Sequence, residues 1–168
     1  RLKPEQQRLK PEQQRLVQKV YDEFVRRGAQ LDDAKKTRMA AINSRLATLF
    51  TTFANRVQAD EDTQVRLTEK DLAGLSASLI SVYKAAATKR KIDGYAVVNT
   101  RSAVAPFLTF SANRPLREKV WRAFVNRGDN GDKNDTNALI AEIVQLRAER
   151  AKILGYASHA HWRMSATM

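Results

Sequence analysis

The longest amphipathic pattern in the chain runs from Leu31 to Asp60, where apolar residues recur at Met39, Ile42, Leu46, Leu49, Phe50, Phe53 and Val57. Steps of three and four place these on one side of a helix, while Lys36, Arg45, Thr48, Thr52 and Arg56 fall mostly between them. Asp32 stands where a side-chain oxygen can cap the first turn. A helix this amphipathic is not stable alone, and the flanking segments must supply its partners.

Before it, Pro11 suits the first turn of a helix that carries Leu16, Val17, Val20, Tyr21, Phe24 and Val25 and stops at Gly28. After it, alternation in Gln-Val-Arg-Leu-Thr at 64–68 predicts a short strand. Leu75, Ser76 and Ile80 form a hydrophobic staple around an N-cap. That signal opens a helix through Leu79, Val82, Tyr83 and Ala86, and Lys89, Arg90 and Lys91 close it with cations that complement the helix dipole. Gly94 precedes a second strand, Tyr95 to Asn99, and two strands this short predict a small ribbon laid on helices. Pro106, Phe107, Leu108 and Phe110 form an apolar knot assigned to the core.

Asn113 caps the next helix, with Pro115 in its first turn and a face of Leu116, Val120, Trp121, Phe124 and Val125 that ends at Gly128. Asp135 or Thr136 starts the last long helix. Its stripe holds Leu139, Ile143, Leu146 and Ile153, widened by Ile140, Val144 and Leu154, and Gly155 stops it. A further helix begins near Ser158. The expected fold class is therefore mainly α, an antiparallel-type multi-helix domain over residues 15–168 with a small two-stranded β ribbon.

Residues 1–7 read RLKPEQQ, and residues 8–14 repeat them without change. A structural repeat able to bury a face is much longer than seven residues, so residues 1–14 are read as a duplicated heptapeptide, a sequence artefact or a frayed end. The first copy, with Pro4, is expected to fray or to kink away from the body. The chain opens on Arg, and Met168 falls inside the helix that begins near Ser158, so the sequence is expected to be a fragment.

With 168 residues, 43% hydrophobic and 29% charged, the composition is that of one folded domain, and no apolar run approaches a membrane span. Cysteine is absent, which excludes disulfides and thiolate metal sites without separating the cytoplasm from an oxidising compartment. Cytoplasm and periplasm both stay open, with the cytoplasm favoured. Thirty basic and eighteen acidic residues give a formal charge of +12, which raises nucleic acid as a partner. Solvated helix faces such as Arg117, Lys119, Arg122 and Arg127 account for such a charge equally well.

The candidate chemistry is sparse. The loop Asp129-Asn130-Gly131-Asp132-Lys133-Asn134-Asp135 is rich in oxygen but lacks the spacing that ends in a bidentate Glu, so turn and N-cap chemistry explains it better than calcium. His159 and His161 lie two apart, a spacing that diverges on a helix. They are read as surface or lightly packed. Glu142 and Glu149 lie about two turns apart and are read as solvent-facing. No G-x-S-x-G elbow, P-loop, dinucleotide fingerprint or H-E-x-x-H helix is present. No catalytic, cofactor-binding or metal-binding residue is therefore assigned.

Several stretches nonetheless resemble a known family. They are LVQKVYDEFVRRGAQL at 16–31, INSRLATLFTTFANRV at 42–57, PFLTFSANRPLREKVWRAFVNRGDNGD at 106–132 and LRAERAKILGYASHAHWRM at 146–164. Together they resemble the thimet-oligopeptidase-like zinc metallopeptidases, most closely the bacterial peptidyl-dipeptidase branch, from about Leu9 to Met168. The resemblance implies a large helical body split by a channel, with zinc held on its floor by H-E-x-x-H and a later Glu. None of those ligands lies in this chain. It implies that residues 15–168 form a non-catalytic segment of the channel wall, inactive alone, and that the partners are the missing catalytic domain of the same polypeptide and short peptide substrates. No membrane partner is implied, and nucleic acid is not favoured. A free-standing basic helical module for nucleic acid or an acidic protein is the alternative, and an interaction scaffold is a third reading.

Overall fold

The computed structural model describes residues 9–166; residues 1–8, which hold the first RLKPEQQ copy and the Arg that opens the second, and residues 167–168 lie outside the described residues. Its elements, in chain order, are α1 (Pro11–Arg26), α2 (Asp33–Glu61), β1 (Gln64–Leu67), α3 (Ala77–Lys89), β2 (Tyr95–Val98), α4 (Arg101–Phe110), α5 (Arg114–Val125), α6 (Asn137–Ile153) and α7 (His159–Met164). The fold is mainly α with a small antiparallel ribbon, as the periodicity predicts. No helix among the described residues is long and apolar enough to cross a membrane. The described residues divide into two compact units, residues 9–48 with 142–166, and residues 49–141.

In the first unit, α1 starts at Pro11, whose missing N–H is one that a first helical turn leaves unbonded anyway. Asp32 Oδ1 accepts from the Lys35 backbone N–H at 2.8 Å and so caps α2. Met39, Ile42 and Leu46 of α2 are buried, as are Ile143 and Ala151 of α6. Two forked ion pairs join these helices. Arg38 Nε and Nη2 donate to Glu149 at 2.6 and 2.7 Å, and Arg45 donates in the same way to Glu142 at 2.6 and 2.7 Å. Numbering rises along one helix as it falls along the other, so the two segments run antiparallel. Both glutamates, expected to face solvent, are engaged by arginines at the same spacing of seven.

The α1 stripe does not become core. Leu16 and Phe24 are 62% and 61% exposed, Val20 and Tyr21 are exposed too, and no residue of the helix is buried. Val17 and Val25 are half-buried, so the face is covered only in part.

The second unit holds the main core, built from Val65 and Leu67 of β1, Tyr83 of α3, Tyr95 and Val97 of β2, Val104 and Phe107 of α4 and Val120 of α5. The ribbon is antiparallel, with Val65 opposite Val97 and Leu67 opposite Tyr95. Alternation in β1 puts Val65 and Leu67 inward and Arg66 outward. Tyr83 and Phe107 meet edge to face, with ring centroids 6.0 Å apart. The Tyr83 hydroxyl donates to the Ala103 carbonyl at 2.9 Å, and burial pushes its pKa up to about 12.

The apolar knot at 106–110 is the end of a helix that its proline conceals. Pro106 removes only one backbone donor six positions into α4, and the helix persists because Val104 and Phe107 are anchored in the core. Phe107 and Val104 are buried whereas Phe110 is exposed, so the knot divides between core and surface. Asn113 Oδ1 accepts from the Leu116 N–H at 3.1 Å and caps α5, with Pro115 in the first turn. Ser76 caps α3 through the Leu79 N–H.

Candidate functional site

The residues able to do chemistry are scattered over these elements. The oxygen-rich loop after α5 closes on a carboxylate of α2. Asp60 is buried; its Oδ2 accepts from the Gly128 N–H at 2.8 Å and from Asn130 Nδ2 at 2.9 Å, and its Oδ1 accepts from Asn134 Nδ2 at 3.0 Å. Thr136 Oγ1 donates to the Gly128 carbonyl at 2.9 Å, and Asp135 Oδ1 accepts from the Asn137 N–H at 2.9 Å at the start of α6. The asparagines point their N–H groups into the loop, so its interior presents donors where a cation needs oxygens. Turn and cap chemistry accounts for the motif.

Asn99 extends this knot. Its Nδ2 donates to the carbonyls of Asp60 and Ala123 at 3.1 and 2.8 Å, tying the end of α2 to α5 just after β2. Neither Asp60 nor Asn99 stood out in the sequence, where Asp60 read only as the end of the long amphipathic pattern and Asn99 as the end of a strand. No local signal marks a residue whose partners lie up to 74 positions away.

The basic face of α5 is partly structural. Arg117 donates to the Ser111 carbonyl, and Arg127 pairs with Glu61 and lies over the Phe124 ring, 4.1 Å from its centroid. Arg122 pairs with Glu118 one turn away at 2.8 Å. Lys119 is exposed. Beside this face, Leu108, Trp121, Phe124 and Val125 line an open groove of about 570 Å³ whose rim carries Arg101, Arg127 and Glu61. Trp121 and Val125, assigned to the packed face of α5, are each 48% exposed there. Asp71 sits at the other end of this unit; hydrogen bonds from the Thr68 N–H and hydroxyl, and then from Asn113, hold its carboxyl below the usual carboxylate range.

Ser158 caps α7, and the two histidines open it. His161 Nδ1 shares a 2.7 Å hydrogen bond with Ser158 Oγ, while the His159 ring packs on Trp162 with centroids 5.4 Å apart. They form no pair, and His159 is partly buried rather than free on the surface.

Residues 107–168, which span the end of α4, α5, the Asp60-bound loop, α6 and α7, match the model of peptidase family M3. This part of the chain is similar to the M3 peptidases. The chain is 30% identical over 156 residues to the dipeptidyl carboxypeptidase of Escherichia coli, a match that covers 91% of this chain and 23% of that protein. It is 30% identical over 152 residues to oligopeptidase A of Salmonella typhimurium, with 87% and 22% covered. With the organellar oligopeptidase A of Arabidopsis thaliana it shares 31% over 162 residues, with 91% and 20% covered. The thimet-oligopeptidase-like resemblance read from the helical blocks is thus met by relatives named for both dipeptidyl carboxypeptidase and oligopeptidase.

The chain spans less than a quarter of the length of these relatives. The described residues offer no donor set that fits the zinc the resemblance implies. Among the described residues no group of three or more histidines and carboxylates is placed to hold a metal ion. His159 is a poor ligand for a second reason. Burial, and then Arg147, Arg150 and Arg163, lower its pKa, so its surroundings already repel a cation.

Proposed function

We propose that this chain is a non-catalytic helical segment of a zinc-dependent M3 peptidase, and that the whole enzyme removes dipeptides from the C-termini of short peptides. The observation that carries the reading is the reach of the match. It extends over 91% of this chain and only 23% of the dipeptidyl carboxypeptidase, so the similarity belongs to one part of a longer protein. In this reading the rest of the same polypeptide brings the zinc and the reacting groups, and residues 15–168 supply rigid helical wall beside the peptide channel. Rigidity is supplied by the core around Tyr83 and Phe107, the Asp60 knot, and the two arginine–glutamate forks.

The engagement of Arg117 and Arg127 in intramolecular contacts favours this reading over a free-standing basic module, whose nucleic-acid affinity would rest on unengaged cations and fall steeply with salt. Two measurements test it. Sequencing the gene beyond the codon for Met168 is expected to reveal an H-E-x-x-H stretch several hundred codons on; an early stop codon overturns the proposal. The purified 168-residue chain is expected to hydrolyse no oligopeptide with or without added zinc, and zinc-dependent hydrolysis by it overturns the non-catalytic assignment.

A further inference from the structure

Three arginines from three helices converge on one tryptophan in the first unit. The guanidinium carbons of Arg26 (α1), Arg150 (α6) and Arg163 (α7) lie 5.1, 4.7 and 5.9 Å from the Trp162 ring centroid. The arrangement is pinned. Arg26 donates to the Trp162 carbonyl and, at 3.0 Å, to Ser165 Oγ, while Trp162 Nε1 donates back to the Arg26 carbonyl at 3.2 Å. Arg150 Nη1 donates to Asn43 Oδ1 at 3.2 Å, and its Nε is buried with no hydrogen-bond partner.

A cavity of about 410 Å³ opens beside the cluster. Arg26, Arg27, Arg150 and Arg163 line it together with a single carboxylate, Glu23, which Arg27 already engages. The acidic side chains of α6 are taken as well, Glu142 by Arg45 and Glu149 by Arg38. Among the described residues no carboxylate pairs with Arg26, Arg150 or Arg163. The strain of this arrangement is visible electrostatically. Burial, then the charges of Arg147 and Arg163, push the Arg150 pKa down, and burial, then Arg147, Arg150 and Arg163, lower that of His159. Stacking on an aromatic face offsets part of the repulsion, but like charges in a partly dry pocket are relieved best by a counter-anion.

We propose that this pocket is a binding site for an organic polycarboxylate, either a small acid or the acidic side chains of a peptide segment. Guanidinium forks match carboxylate geometry bidentately, and Arg26, Arg150 and Arg163 bring three of them to one cavity. Met39, Leu154 and Trp162 give the cavity apolar walls, and its volume exceeds what one inorganic oxyanion fills, so an organic anion fits better than sulfate or phosphate. The site does not depend on the peptidase assignment, since it is built wholly from groups of this chain.

The test uses the full chain carrying Trp121→Phe, so that Trp162 is the remaining tryptophan and is excited selectively over tyrosine. Citrate, sulfate and the peptide acetyl-Glu-Glu-Glu-amide are titrated at matched ionic strength. A saturable change in Trp162 emission is expected, with half-saturation by citrate or the peptide at least tenfold below that by sulfate. Saturation by citrate assigns the site to small acids, and saturation by the peptide alone assigns it to acidic side chains. Arg163→Gln, at an exposed position, and Arg150→Lys, which keeps the charge and removes the fork, are each expected to raise the half-saturation at least tenfold. Lys119→Gln removes one charge in the other unit and is expected to shift it less than twofold. No saturation by either carboxylate, sulfate binding as tight as citrate, or equal effects of Arg163→Gln and Lys119→Gln overturns the proposal.

Discussion

Asn134 Nδ2 donates to Asp60 Oδ1 at 3.0 Å, joining a loop to a helix end 74 positions earlier in the chain. With Gly128 and Asn130 on Oδ2, the carboxylate satisfies three donors while only 4% exposed. Removing the acceptor leaves the Gly128 N–H buried and unpaired and frees the two asparagine amides. Asp60→Ala is therefore expected to cost about 3 kcal/mol of stability. Asp60→Asn must turn an NH2 toward at least one donor and is expected to cost nearly as much. Urea unfolding followed by circular dichroism reads both, and an Asp60→Asn midpoint equal to wild type removes the carboxylate from this role.

Gly74 and Lys91 are opposite cases of one backbone rule. Gly74 has φ +87°, and a Cβ there would stand 2.2 Å from the Phe110 carbonyl oxygen, so neither the dihedral nor the space admits a side chain. Lys91 ends α3 with φ +55°, its N–H bonded to the Thr88 carbonyl, where glycine is the usual residue. Gly74→Ala is expected to destabilise by more than about 2 kcal/mol, and Lys91→Gly to stabilise by roughly 0.5–1 kcal/mol. Thermal melts of the two variants should move in opposite directions.

The forked pairs Arg38–Glu149 and Arg45–Glu142 couple two helices through groups that remain about half exposed. Exposed pairs contribute little singly and weaken in salt, so the signature is the pattern rather than the size. Arg45→Glu is expected to lower the melting temperature, and adding Glu142→Arg to restore most of the loss. The hydrogen bonds from Arg45 and Arg38 hold the carboxyls of Glu142 and Glu149 below their ordinary pKa of 4.5. A lowered folded-state pKa gives stability that is present above pH 4.5 and lost as pH falls through the folded values. The melting difference between wild type and Glu142→Gln/Glu149→Gln should accordingly shrink below pH 4.5, and a difference independent of pH would remove the pairs as its source.

Helix caps at Asp32, Ser76 and Asn113 were readable in the sequence because each acts on a donor three residues away. The ribbon was readable from alternation, and the family from the blocks around 106–132 and 146–164. The helix around Pro106 was hidden because local propensity argues against it and tertiary anchoring at Phe107 overrides that. Asp60, Asn99 and the arginines on Trp162 were hidden because their partners are remote in sequence. The arginine–glutamate forks left a faint trace, since Arg38 and Arg45 repeat the spacing of Glu149 and Glu142.

A hydrophobic stripe in sequence states only that a face avoids water, and α1 and α4 separate what that means in this chain. Leu16 and Phe24 of α1 are more than half exposed, whereas Phe107 of α4 is fully enclosed. Transfer to a packed interior, and the cavity left when a side chain is removed, set the cost of truncation, so an exposed position loses neither. Leu16→Gln and Phe24→Gln are each expected to change stability by less than about 0.5 kcal/mol, while Phe107→Ala is expected to cost about 3–5 kcal/mol. Urea midpoints of the three variants decide it: a loss at Leu16 or Phe24 comparable to that at Phe107 would mean that the α1 face is covered in solution.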